Sequence, residues 1–272
     1  MSTRAWSAAL ASGVAGLVAA GTAAGAGPWP GLAPGIADAR GVVYTVQHAA
    51  KTTTVTATKG ATVRTARLQG AFGVPAVTLN GGAGGLSVNG RLLVLAEPPN
   101  YSRLKQTTRF LVLRTSNLGI ARTVTLKGDF GYDALSPDGR MLYLLQHRSV
   151  RGPDYAVRAY DLQRGRLLNR VIVDKRTPDE KMNGYPVART SSAAGDWVYT
   201  LYRKQSGGLF VHALNAKSAY AFCIDFAWNG GSDEDIWQLQ LSLAESEHTL
   251  TVLMPSGGTA ARVDTQTFAV VA

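Results

Sequence analysis

The chain of 272 residues has one cysteine, Cys223, so it can close no internal disulfide and can supply no multi-cysteine zinc site. Charge is sparse as well: Asp, Glu, Lys and Arg make up 17% of the residues and hydrophobic residues 46%. That balance excludes a disordered tail and suits a soluble globular protein. Only four histidines occur, with no His-x-His or His-x-x-x-His spacing, and no Gly-x-Ser-x-Gly elbow is present. The commonest histidine zinc signatures and the strained-serine hydrolase signature are therefore missing. Helical periodicity is almost absent beyond residue 41, and no run after residue 24 is long and apolar enough to span a bilayer.

What is present begins with an export pattern. Arg4 precedes the uncharged Ala-, Gly-, Val- and Leu-rich run Ala8 to Ala24, and Ala24-Gly25-Ala26 offers a small-x-small cleavage site. Residues 1–26 read as a secretory signal, the alternative being a retained anchor near the lower length limit for a span. No cysteine follows the run to carry a lipid. Residues 27–40, rich in Gly and Pro, read as a flexible lead-in, and 41–272 as the folded domain.

Short β-branched and aromatic runs bounded by Gly, Asp, Asn or Pro fill that domain: Gly41 to Gln47, Arg91 to Leu95, Arg109 to Arg114, Arg140 to Leu145, Trp197 to Leu201 and Thr249 to Met254. They recur. Gly85-Leu-Ser-Val-Asn-Gly-Arg91 aligns without gaps with Ala134-Leu-Ser-Pro-Asp-Gly-Arg140, and weaker copies precede Val42, Trp197 and Thr249. Anchors at 41, 90, 139, 195 and 247 repeat at about fifty residues, room for four strands each. This predicts an all-β fold, a β-propeller of four-stranded antiparallel blades, with five blades as the direct reading. The Asn-Gly and Asp-Gly anchors supply the positive φ of a tight hairpin. The first unit lacks an evident innermost strand, which the C-terminus is expected to provide, closing the ring.

The block Leu135-Ser-Pro-Asp-Gly-Arg-Met-Leu-Tyr143 resembles the repeat of bacterial WD40-like and YVTN-type β-propellers, and the stretch from Phe130 to Phe226, with Ala156-Val-Arg-Ala-Tyr-Asp161 and Val211-His-Ala-Leu214, resembles a group of secreted propellers from high-GC bacteria. The Gly-His and Trp-Asp pairs of true WD repeats are missing. The lactonase-like branch of these propellers includes an enzyme, but its catalytic residues find no match here, so the resemblance implies fold and not chemistry.

Propeller sites gather where second strands end and innermost strands begin. Projected onto that face, the candidate ligand-binding residues are Glu97, Tyr132, Asp133, His147, Arg148, Tyr185, Arg203 and Trp237. Asp133, Glu97 and Asp235 are acid/base candidates, Arg148, Arg189 and Arg203 possible anchors for an anion, and the aromatics possible stacking surfaces. The repeated Gln47-His48 and Gln146-His147 with Glu97 are suitable metal-ligand types, but the histidine spacing argues against a metal, and no metal or other cofactor is expected. Cys223 lies in an outer-strand pattern and reads as a packed small hydrophobe. Asn80-Gly-Gly-Ala-Gly-Gly85 leads into a strand, so it lacks the helix N-terminus of a phosphate loop and reads as a flexible approach to the inner strand.

The net charge of +10 is uneven. Residues 38–130 hold 12 basic and 3 acidic side chains, 131–211 hold 13 and 8, and 212–272 hold 2 and 7. A basic surface without interleaved aromatics, on an exported chain, favours a protein or an anionic envelope component over nucleic acid as partner. The expectation is therefore a secreted or extracytoplasmic monomer, more a binding or interaction module than an enzyme. The alternative is a lactonase-like small-molecule hydrolase with its site at the channel mouth, which requires Glu97, Asp133, His147 or Arg148 to converge on one cavity.

Overall fold

A computed structural model describes residues 28–271, so the expected export segment 1–26 lies outside the described residues. Five antiparallel sheets follow one another along the chain, each a meander in which neighbours in sequence are neighbours in space. The first runs Gly35–Ala37, Val43–Ala49, Thr52–Lys59, Thr62–Gln69. The second has Leu92–Ala96, Thr107–Arg114 and Ile120–Lys127, and its inner edge is completed by residues 85–87, where Val94 N–H donates to the Gly85 carbonyl at 2.7 Å and Ser87 N–H to that of Leu92 at 2.9 Å. The third has Phe130–Leu135, Met141–His147, Asp154–Asp161 and Arg166–Ile172, with Met182–Asn183 added beside Asp154 and Tyr155. The fourth has Tyr185–Ser191, Trp197–Arg203, Leu209–Asn215, Tyr220–Phe226, and the fifth Gln240–Leu243, Thr249–Leu253, Thr259–Asp264, Ala269–Val271. Among the described residues the only helix is a single 3-10 turn, Asp235–Gln238, so none is long enough to cross a membrane. Serial four-stranded meanders of this kind are the blades of a β-propeller.

The fifty-residue period has a backbone cause. All five anchor positions carry positive φ: Gly41 at 78°, Gly90 at 64°, Gly139 at 71°, Gly195 at 74° and Glu247 at 59°. In each, the anchor N–H donates to the carbonyl three residues earlier, on Asp38, Ser87, Ser136, Ser192 and Ala244. The side chains of Asp38, Ser87, Ser136 and Ser192 also accept N–H groups from just beyond the turn, at 2.8–3.1 Å. In four of the five turns, therefore, a small polar residue followed three positions later by a left-handed residue fixes the hairpin between inner strands, and its register with it.

Alternation then builds the core. Side chains on one face of each sheet meet those of the next, giving four buried clusters: Tyr44, Val55 and Leu68 against Leu93 and Leu113; Val94 and Val112 against Leu142 and Leu144; Tyr143 and Val157 against Tyr202 and Phe210; Tyr199 and Val211 against Leu250 and Val263. Among the described residues no such cluster joins the fifth sheet to the first. The outer face of the first sheet is instead mostly polar, with Thr45, Thr52, Thr54, Thr56, Thr58, Thr65 and Arg67 beside the exposed Val63, and that of the fifth carries Ser242, Thr249, Thr251 and Arg262 beside Val271. Polar outer faces on terminal repeats keep such a stack soluble.

Two expectations are corrected. The innermost strand of the first sheet is Gly35–Ala37, paired with Val43–Thr45, and does not come from the C-terminus. The stretch expected as a lead-in is built into the fold: Leu32–Ala33 pairs with Val74–Pro75, and Trp29 is 4% exposed between the third and fourth sheets. Composition misled here, because one indole buried far along the chain outweighs the Gly and Pro around it; full burial of such a side chain contributes about 2–3 kcal/mol.

Candidate functional site

The ends of the second strands and the starts of the innermost strands lie at one end of the molecule. Glu97 follows the strand Leu92–Ala96, His147 closes Met141–His147 and Arg203 closes Trp197–Arg203; Tyr132 and Asp133 lie on Phe130–Leu135, and Tyr185 begins Tyr185–Ser191. Strand geometry places them, yet they do not form one site.

Glu97, Tyr132 and His147 line a single cleft together with Arg189, Lys105 and Asp129. Its volume is about 30 Å³, room for a water or two. Within it, His147 Nδ1 lies 3.0 Å from Asp129 Oδ1, and its ring stacks on the indole of Trp29 at 4.0 Å. Nε2 of His147 is buried without a hydrogen-bond partner. Burial opposes the charge on Asp129, but hydrogen bonds from His147 and the Lys105 N–H outweigh it and hold the carboxyl below its ordinary range. Burial lowers Lys105 in turn, although Glu97 and Asp129 pull the other way. Glu97 is held by Arg109, whose Nε donates at 2.7 Å and whose backbone N–H donates at 3.0 Å.

Asp133 sits beneath this cleft. It occupies a bulge between Tyr132 and Ala134, and the bulge turns its side chain inward to the guanidinium of Arg189 on the neighbouring sheet. Asp133 is 1% exposed and the Arg189 side chain 15%, and Arg189 also donates to the Asp133 carbonyl. Below this pair His212 is buried without a partner for Nε2, and burial lowers its pKa to about 4.

Tyr185, Arg203 and Trp237 form a second, separate group. The Tyr185 and Trp237 rings meet edge to face at 6.2 Å, and the Arg203 guanidinium lies 5.9 Å from the indole centroid while donating to Asp233 at 2.8 Å. Trp237 is 37% exposed, so the patch faces solvent. Arg148 joins neither group: its side chain is exposed, and its backbone N–H pairs with the Asp154 carbonyl. His48 is exposed on the first sheet, and among the described residues no three His, Cys, Asp or Glu side chains converge to hold a metal. Cys223 packs 3.7 Å from Met182 Sδ and 3.5 Å from His212 Nδ1, and burial pushes its thiol pKa up.

Val77 and Thr78 are buried at the start of a loop that crosses to the fourth sheet, where Leu79 N–H donates to the Pro186 carbonyl at 3.0 Å. Thr78 Oγ1 accepts the Gly82 N–H at 2.9 Å, so the glycine run expected as a flexible approach is a hydrogen-bonded loop. Towards the opposite end Val88 packs on Gly195, where a Cβ would lie 3.1 Å from the valine Cβ.

Asp129 and Lys105, which line the cleft, and Trp29, which stacks on His147, are residues that sequence reasoning missed. A signal for Asp129 existed. Gly70-Ala71-Phe72 and Gly128-Asp129-Phe130 repeat one local structure, in which Thr53 or Thr108 donates to the glycine carbonyl at 2.7 or 2.8 Å and accepts the phenylalanine N–H at 2.8 or 3.1 Å. Where one copy has alanine in the middle, the other has the carboxylate that holds His147.

No protein family and no curated protein matches the sequence. Solved structures of similar shape include the Pseudomonas aeruginosa periplasmic gluconolactonase PpgL, at 14% identity and a TM-score of 0.48 over 88% of this chain and 68% of that one. The β-propeller domain of Myceliophthora Cps50 (Swd1) matches at 14% identity and 0.48, over 83% and 62%. TolB from Acinetobacter baumannii matches at 13% identity and 0.45, over 82% and 49%. At these identities nothing of their chemistry passes to this chain.

Proposed function

We propose that this chain is a non-catalytic β-propeller that acts at the cell envelope as a binding module. The observation that carries this reading is the state of the acid/base groups at the strand ends. Glu97 is bound by Arg109 and Asp129 by His147, so both carboxylates that line the cleft already have partners. A volume of about 30 Å³ there falls an order of magnitude short of the ~300 Å³ of an ordinary small-molecule site. Export is supported by the pattern of residues 4–26.

The hydrolase reading keeps one point in its favour, the unpartnered Nε2 of His147 on the cleft. One experiment separates the two: the purified chain is mixed with isolated envelope fractions and, in parallel, with 6-phosphogluconolactone. Co-sedimentation with the envelope and lactone hydrolysis at the uncatalysed rate are expected. Hydrolysis that His147→Gln abolishes would overturn the proposal.

A further inference from the structure

The end of the molecule opposite the cleft carries a site of ligand size. Between the first two sheets, at their anchor-turn end, lies a groove of about 640 Å³ lined by Arg40, Lys59, Arg64, Arg91, Arg114 and Ser116 among others. Half of its ten lining residues are basic and none is acidic. The nearest carboxylate, Asp38, is buried and already bound to Arg40 at 2.7 Å. Lys59, Arg91 and Arg114 are exposed and lie within 4 Å of no carboxylate among the described residues. Arg64 spans the groove floor, donating to the carbonyls of Thr115 and Ser116 from the neighbouring sheet.

The cause is topological. The hairpin after Lys59, the turn after Gly90 and the outer turn after Arg114 all emerge at this end, so five cations separated by 74 residues of sequence collect in one concavity. Like charges held together repel, and solvation of exposed side chains offsets this only in part; an anion in the groove relieves it.

We propose that this groove binds a linear, phosphate-bearing polyanion without bases, laid across the first two sheets. The inference rests on the binding-module reading and names its ligand class. A polymer suits the site better than a small phosphate compound because the cations are spread along an open groove rather than focused on a buried cradle of N–H groups. A nucleic acid is disfavoured because the groove's aromatic residue, Tyr44, is fully buried and offers no face to stack a base. The concave lining favours a single chain over a flat membrane.

The test measures binding of labelled linear polyphosphate to the whole chain and to two triple variants. Lys59→Gln/Arg91→Gln/Arg114→Gln removes charge from the groove; Arg151→Gln/Arg166→Gln/Lys181→Gln removes equal charge from exposed positions elsewhere. The groove variant is expected to weaken binding at least about tenfold and to flatten the slope of log affinity against log salt by about two to three, with the control variant within about threefold of the parent. Equal losses in both variants, or no binding by the parent at low salt, overturn the proposal. So does groove-dependent binding that is tighter for a single-stranded oligonucleotide or for phosphatidylglycerol vesicles than for polyphosphate. If polyphosphate fails while the chain still sediments with envelope fractions, the groove assignment falls and the binding-module reading stands. Lactone turnover removes that reading whatever polyphosphate does.

Discussion

At the scale of single residues, the buried charges govern. Asp133 Oδ1 is paired with Arg189 between adjacent sheets, so removing one partner leaves the other largely out of water without its counter-charge. Arg189→Met is expected to destabilise the fold by about 3–5 kcal/mol, and Asp133→Leu/Arg189→Met by clearly less, as read from urea unfolding. A pair that behaved additively would show that the two groups do not interact. His212 predicts a pH dependence. Its pKa, about 4 in the fold against an ordinary 6.5, means that the folded state holds it neutral while the unfolded chain binds a proton below 6.5. Its contribution is therefore full above pH 6.5 and is lost as pH falls towards 4, on the order of 3 kcal/mol in all. His212→Asn should flatten the stability profile across that window, and an unchanged slope would remove His212 as its source.

At the scale of elements, the anchor turns decide register. Gly139, at φ 71°, would place a Cβ 2.8 Å from Leu92 Cδ1. Gly139→Ala should cost about 1–2 kcal/mol through the left-handed backbone alone, with more if Leu92 cannot move; thermal melts would read it. These turns were legible in the sequence because a small polar residue, a left-handed residue and an alternating strand each leave a local mark. Glu247 shows the limit of that legibility: it adopts the same backbone without glycine, and its place was readable from the period alone. The site was less legible. Tyr132, His147 and Glu97 were found as strand-end residues, but whether strand ends meet depends on how sheets pack, and this divided Tyr185, Arg203 and Trp237 from them.

At the scale of the whole molecule, the first residues of the fold bind its middle. Trp29 stacks on His147 and donates from Nε1 to the Ser149 carbonyl at 3.3 Å, so a segment that joins the first two sheets also seals the third against the fourth. Trp29→Ala is expected to lower stability by about 3–5 kcal/mol in urea titration. A chain starting at Gly41 should lose the sharp cooperative transition, because it lacks both that indole and the innermost strand Gly35–Ala37. A truncated chain that melts as the parent does would show the segment to be dispensable. The uneven charge has its meaning only at this scale. In the first two sheets each acidic residue, Asp38, Glu97 and Asp129, is bound to a basic or imidazole partner, so the remaining cations stay unneutralised.

The sequence by itself determined the all-β class, the period and the turns that set it, because backbone preference and alternation act over a few residues. Only the tertiary structure decided that residues 30–37 belong to the fold, that the glycine run is bonded across to the fourth sheet, that Glu97 and Asp129 have bonded partners in the cleft and that five cations share one groove. Each of these depends on contacts between residues far apart in the chain, whose free energy is set by burial and pairing in three dimensions and leaves no periodic trace in the sequence.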